Sequence, residues 1–441
     1  MTSPAPAATR PQPSLSVADV VAVTVGIVVG IGIFKTPALV AGAADSVPGF
    51  LLLWLAGGGI SLLGALCYAE LSAAHPDAGG EYHFLRRAYG GRVGFLFAWA
   101  RITVIQTGAI AAVGFVLGDY AAQILPLGPQ GAAGYAAAAV AGVTALNVRG
   151  LRGATRLQHV FTAATVLALA AIVVAALTHG PSPEPPPPSG AGSAIGFAMI
   201  FVLLTYGGWN EAAYLSGEVR DVQRNMGRAL LIGIGLITLV YVAVNAAYAV
   251  VLGLPALRAA AVPGAELMRH TFGEGSALLI SAVVVVAAIS TLNASVLTGA
   301  RAAYALGRDY AGFGFLGRWD AAAMAPANAL WVQGAIALAL VGVGAATRGG
   351  FTAMVEFTAP VFWLFFLLCG AAVMVLRVRE PSRALPYRVP LYPLTPLAFC
   401  AACGYMLYAS LAYTGWGALF GVGVLLVGVP ILAWLRRRPP R

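Results

Sequence analysis

A chain of 441 residues that is 60% hydrophobic and only 10% charged has too little polar surface to be a soluble domain. Its four cysteines, Cys67, Cys369, Cys400 and Cys403, all lie in apolar stretches, which excludes a secreted disulfide scaffold. The net charge of +10 does not mark a nucleic-acid binder, because the arginines fall on alternate loops instead of forming one patch.

About 20 apolar residues cross a bilayer as a helix, and twelve such spans are predicted. They cover residues 17–43, 48–73, 92–120, 130–147, 157–178, 194–218, 228–254, 276–306, 324–346, 352–377, 394–413 and 415–435. The fold class expected is therefore an all-α integral membrane protein without an appended soluble domain. Residues 1–16 are rich in Pro, Ala and Ser and read as a disordered tail. No basic segment leads there into a short apolar core, so it is not a signal peptide. If the tail is cytoplasmic, 21 of the 26 Lys and Arg residues share its face, and only Arg258, Arg269 and Arg348 take the other. That asymmetry predicts a multi-pass protein of the cell (plasma) membrane with both termini cytoplasmic.

Span one, VAVTVGIVVGIGIFKTPALV from Val21 to Val40, carries Gly26, Gly30, Gly32 and then Pro37. Glycine makes helix backbone cheap to unwind and proline lacks a donor. A break at Gly30-Ile31-Gly32 is predicted, with an outer half-helix from about Ile33 that aims unpaired N–H groups at the midplane. This is an anion site built from backbone, suited to a substrate carboxylate. Gly26 and Gly30 also have the spacing of close helix packing, so the break alone does not decide between the two readings. Lys35 follows the break. A full charge at that depth costs about 2.5–3.5 kcal/mol, so it is expected to face a vestibule, either solvated, paired with Glu356 of span ten as an outer gate, or repelling cationic substrates.

The loop after span two holds Glu81, expected to pair with Arg86 and Arg87 on a short helix. Arg101 in span three is expected to snorkel to the headgroups or to find a structural partner. Residues 181–193, with their proline run, form an extended linker on the outer face. Span six repeats the theme of span one, with Gly207-Gly208 midway and Trp209, Asn210 and Glu211 following. Two Gly-interrupted spans in corresponding positions mark the binding site of an inverted-repeat transporter. They lie five apart in order, an odd number, so the second repeat enters from the opposite face and their half-helix ends meet at the midplane. Carbonyls freed around Val28 and from Leu204 to Gly207 would accept an ammonium, and the pair of breaks would hold a zwitterion. Glu211 reads as a proton carrier or as a structural carboxylate held by Asn210 and Trp209. In span eight, Ser290 and Thr291 either bond their own helix or offer hard oxygen ligands to Na+.

Three motifs resemble the amino acid–polyamine–organocation superfamily, in particular its bacterial LAT-like amino acid permeases. They are Gly30-Ile31-Gly32-Ile33-Phe34 with Pro37; Glu70-Leu71-Ser72 with Pro76, Gly79-Gly80-Glu81-Tyr82 and Leu85 to Gly90; and Thr205-Tyr206-Gly207-Gly208-Trp209-Asn210-Glu211 with Glu218 and Arg220. The resemblance runs in order from about residue 17 to 390. It implies the LeuT fold: two inverted repeats of five helices (17–180 and 194–380) and two peripheral helices with a basic tail (381–441). It also implies that Gly30, Ile31 and Gly32 bind the carboxylate, that Val28, Leu204, Thr205 and Gly207 bind the amine, and that Tyr206 belongs to the gate. Relatives carry T-R-x-Q-x-x-x-T-x-x-K on helix five. Thr155, Arg156, Gln158 and Thr162 fit, but Thr165 replaces the lysine, leaving a cation site of Thr165, Ser290 and Thr291, or uncoupled exchange.

The function expected is secondary transport or exchange of small to medium neutral L-amino acids by alternating access. The alternatives are a permease for polyamines or cationic amino acids, and a non-transporting amino acid sensor. No catalytic constellation or metal spacing suggests an enzyme, and no cofactor is expected. The partners are an amino acid, the lipid bilayer and Na+ or H+ as coupling ion, without nucleic acid.

Overall fold

The computed structural model describes residues 14–75, 80–150, 154–180, 195–213, 218–320, 325–347, 349–413 and 415–436, with side chains left out at 154–162, 212, 213 and 436. The expected tail, apart from residues 14–16, and the linker 181–193 lie outside them, as do the side chains of Thr155, Arg156, Gln158 and Thr162.

The chain opens with α1 (Val17–Val28), a 3-10 turn (Ile31–Phe34) and α2 (Thr36–Ala41). Ser16 and Asp19 form a reciprocal capping box that fixes where α1 starts. Pro37 lies in the first turn of α2, where its missing N–H would have had no helical acceptor. It starts the outer half-helix rather than contributing to the break. Then come α3 (Val47–Ala74), α4 (Glu81–Tyr89), α5 (Gly91–Ala100), a π turn (Arg101–Ile105) and α6 (Gln106–Ile124). They are followed by α7 (Gly131–Val148), α8 (Ala154–His179), α9 (Ile195–Thr205) and α10 (Trp209–Ala213). The second half comprises α11 (Val222–Val251), α12 (Gly253–Ala259), α13 (Pro263–Phe272), α14 (Glu274–Asp309), α15 (Ala327–Ala346), α16 (Gly350–Arg379), α17 (Leu394–Tyr413) and α18 (Trp416–Arg436).

Among the described residues nine helical stretches are long and apolar enough to cross a bilayer, and three shorter apolar ones accompany them: Val17–Val28, Ala163–His179 and Ile195–Thr205. Beyond two isolated bridges no strand forms there. The short helices α12 and α13 were not anticipated in the sequence. Pro263 at the first turn of α13 and Glu266 one turn before Arg269 are the signals that mark the second of them.

Both breaks are enclosed by longer helices. The helix α1 packs on α10 and α11, α2 on α9 and α12, and α14 on the 3-10 turn. Close approach depends on bare backbone in α3. A Cβ on Gly57 would stand 2.3 Å from Val202 Cγ1 of α9, and one on Gly58 2.2 Å from Thr238 Oγ1 of α11. Small residues let membrane helices meet this closely.

Candidate functional site

The first break falls where expected. Gly30 is extended, and the following 3-10 turn begins at Ile31 with no side chain capping it, so its leading N–H groups have no helical acceptor. Space is available: the nearest atom to a Cβ on Gly30 would be the Val28 carbonyl oxygen at 3.8 Å. Across the break stands Thr205, the last residue of α9. Its hydroxyl donates to the Phe201 carbonyl at 2.7 Å and lies 2.8 Å from the Thr36 hydroxyl. In the second break Gly208 has φ +112, and Tyr206 N–H still reaches Val202 O while Gly207 N–H reaches Leu204 O.

One buried hydroxyl joins the two breaks. Tyr241 of α11 is fully buried and donates to the Val28 carbonyl (2.8 Å) and to the Thr205 carbonyl (3.1 Å). Two of the carbonyls expected to accept an ammonium are therefore already oriented by the scaffold, and each keeps a second lone pair. Beside it Tyr206 packs edge-on at 5.0 Å, and its own hydroxyl donates to the Trp54 carbonyl at 2.9 Å.

Toward the face away from the N-terminus, the half-helix α2 and the residues flanking it are held through Lys35, Tyr120 and Arg258. Lys35 Nζ meets Asp119 Oδ2 at 2.6 Å and the Ala261 carbonyl at 2.9 Å. Tyr120 donates to Phe34 O at 2.7 Å and accepts from the Gly264 N–H. Arg258 of α12 donates to the Ala41 and Ala44 carbonyls at the end of α2, a cation at the negative helix end. Toward the other face the chain ahead of α1 is tied to the exit of span six: the Ser14 and Leu15 N–H groups donate to Glu218 O, and Arg220 N–H donates to Leu15 O.

A sequence profile described as amino acid permease matches residues 15–430. The chain belongs to the amino acid permease family. The permease is 28% identical over 440 residues to the rat (Rattus norvegicus) b(0,+)-type amino acid transporter 1, covering 96% of this chain and 88% of the relative. It is 28% identical over 429 residues to the human (Homo sapiens) large neutral amino acids transporter small subunit 2, covering 93% and 78%. Against the mouse (Mus musculus) Asc-type amino acid transporter 1 the identity is 27% over 430 residues, covering 93% and 78%. The permease is a multi-pass membrane protein of an amino acid transporter family, not an enzyme.

Several expected contacts are placed differently in the permease. The Lys35–Glu356 gate does not form: Lys35 pairs with Asp119, while Glu356 lines a separate cavity of about 350 Å³ with Trp416, Gly417 and Phe420. Glu81 does not pair with Arg86 or Arg87. Residues five and six apart do not share a helix face; Arg86 meets Asp309 at 3.3 Å and Arg87 meets Glu380 at 2.6 Å. Glu81 instead accepts from Arg101 (2.9 Å), Tyr68 (3.2 Å) and Asn210 (3.2 Å), so Arg101 has a structural partner and does not snorkel freely. Asn210 serves Glu81, not Glu211. Tyr206 is 1% exposed and lies between Trp54 of α3 and Tyr241 of α11.

For the cation site, α8 packs on α14, which brings the helices of Thr165, Ser290 and Thr291 side by side. Thr165 is buried and Thr291 donates to Ala287 O at 3.1 Å, leaving its oxygen lone pairs available. Sequence reasoning missed Tyr241 and Asp119. Asp119 had a signal: it is an acidic residue at the outer end of span three, on the same face as Lys35.

Proposed function

We propose that the permease is a secondary transporter or exchanger of small to medium neutral L-amino acids, working by alternating access on the LeuT plan. Twelve spans would be divided into repeats at 17–180 and 194–380, joined by an outer linker at 181–193 and followed by peripheral helices in 381–441. The observation that carries this reading is the pair of breaks joined through Tyr241: uncapped N–H groups on one side and oriented carbonyls of Val28 and Thr205 on the other suit a zwitterion. Gly30, Ile31 and Gly32 would take the carboxylate; Val28, Leu204, Thr205 and Gly207 would take the amine. No carboxylate lies in the breaks themselves, which favours uncharged side chains over cationic ones. One relative's name specifies large neutral amino acids, which supports the absence of charge and not the size.

We place it in the cell (plasma) membrane with both termini cytoplasmic, an orientation that the basic loops support. Thr165, Ser290 and Thr291 are the proposed place for Na+ if sodium is coupled. The decisive experiment is counterflow of labelled alanine, leucine and arginine in proteoliposomes. Exchange of alanine or leucine is expected. Uptake of arginine alone would overturn the substrate class, and binding without flux would make the protein a sensor.

A further inference from the structure

On the N-terminal face, where the ends of α3 and α16 meet the connection to α17, lies a cavity of about 220 Å³. Its charged and titratable lining is Glu70, His75, Arg377, Glu380, Arg383 and Arg388. The charges do not balance. Arg377 grips Glu70 through Nε (2.7 Å) and Nη2 (2.5 Å), and the Val389 N–H donates to the same carboxylate at 2.6 Å. Glu380 accepts from Arg87 of α4 at 2.6 and 2.9 Å. Each carboxylate is thus neutralised by a bidentate guanidinium, which leaves Arg383 and Arg388 over. Arg383 donates to the Ala74 carbonyl from Nε at 3.0 Å and Nη2 at 2.6 Å, and to no carboxylate among the described residues. Arg388 makes no hydrogen bond or ion pair among them. A second observation lies deeper. His75, at the end of α3, is 4% exposed, and its Nδ1 is buried without a partner. Burial, with Arg383 and Arg87 nearby, lowers its pKa to about 4 and holds the imidazole neutral. A neutral ring can put its one hydrogen on Nδ1 and donate it to an oxygen in the cavity. Solvated surface arginines alone would not account for that nitrogen, because buried polar groups are normally paired.

We infer that this cavity binds a phosphate monoester, with Arg383 and Arg388 taking its charge and His75 donating to one of its oxygens. The guanidinium fork matches phosphate oxygens in geometry as well as in charge. Basic pockets between membrane helices accept anionic lipid headgroups on the cytoplasmic side, and a soluble phosphate ester presents the same chemistry. Bound there, the ligand ties the end of α3, the end of α16 and the connection to α17 into one unit. The site is separate from the two breaks and does not depend on the transporter reading.

The test uses the full-length permease in detergent micelles, with binding followed by calorimetry and by thermal shift. Short-chain phosphatidic acid, glycerol phosphate and inorganic phosphate are compared with short-chain phosphatidylcholine. Saturable binding of a phosphate monoester, with a raised melting temperature, is expected. Preference for phosphatidic acid over glycerol phosphate assigns a membrane source, and equal binding a soluble one. Arg388→Gln should weaken binding about tenfold or more. It should leave the melting temperature of the ligand-free protein unchanged, because Arg388 has no partner to lose. Arg388→Lys should retain part of the affinity. Arg318→Gln, which removes an exposed arginine of the same face outside the cavity, should retain all of it. Absence of binding by all three phosphates overturns the inference, as does equal binding of phosphatidylcholine. Full affinity in Arg388→Gln, or an equal loss in Arg318→Gln, also overturns it, the second because diffuse surface charge would then explain the binding.

Discussion

The two breaks use glycine for opposite reasons. In span one Gly30 has negative φ and open space around the Cβ it lacks, so no packing demands glycine there. In span six Gly208 has φ +112, and a Cβ on it would stand 2.8 Å from Ile27 Cγ2 and 3.3 Å from Ile27 O. The second glycine is required by the fold, because the turn presses on the last residues of α1. The first is left bare toward the space where a substrate would sit. One break is architecture and the other is room.

Substitutions can break that distinction. The largest effect is expected from Gly208→Ala: backbone strain of about 1–3 kcal/mol adds to the collision with Ile27, so thermal stability and transport should fall together. A Gly208→Ala permease of normal stability would remove the architectural role. Next is Gly32→Val. A Cβ at Gly32 already approaches the Thr205 side chain to 3.2 Å, and branching fills the turn that would hold the carboxylate. Binding should be abolished in a protein that stays folded, whereas Gly30→Ala should leave stability unchanged. Retained affinity in Gly32→Val would move the carboxylate site elsewhere. Between the two breaks, Tyr241→Phe strips the donor from the Val28 and Thr205 carbonyls. With buried acceptors unsatisfied the expected cost is about 1–3 kcal/mol, read as a lower melting temperature and weaker stabilisation by alanine. An unchanged melting temperature would show that Tyr241 does not join the halves.

The breaks were legible because glycine and proline act locally. Glycines at 30 and 32 and at 207 and 208, midway along two apolar spans in corresponding positions, together pointed to unwound backbone, and even the misread Pro37 still marked the start of a half-helix. What tertiary structure alone decides was not legible. Tyr241 resembles any aromatic in an apolar span until its hydroxyl is seen between two carbonyls. Lys35 and Asp119 are 84 residues apart, and nothing local chooses Asp119 over Glu356. Glu81 shows the same failure at short range, since Arg101 reaches it from another helix while nearer arginines turn away.

The smallest effect belongs to the outer contacts, and it tests whether span one's half-helix is the moving part. Lys35 and Asp119 have side chains only 16% and 25% exposed, placing their pair near the upper end of the range for accessible ion pairs, about 1 kcal/mol. Removing it should shift the equilibrium toward the outward-open state about fivefold. The clamp's remaining contacts, from Tyr120 and Arg258, would still hold the fold. Asp119→Asn and Lys35→Ala should therefore speed labelling of a cysteine placed in the vestibule, with little change in melting temperature. The double variant should add nothing to the larger single effect, because each substitution deletes the same interaction. Additive effects would mean that Lys35 acts mainly through the Ala261 carbonyl. The bond to α13's leading loop, rather than the ion pair to span three, would then hold the half-helix closed.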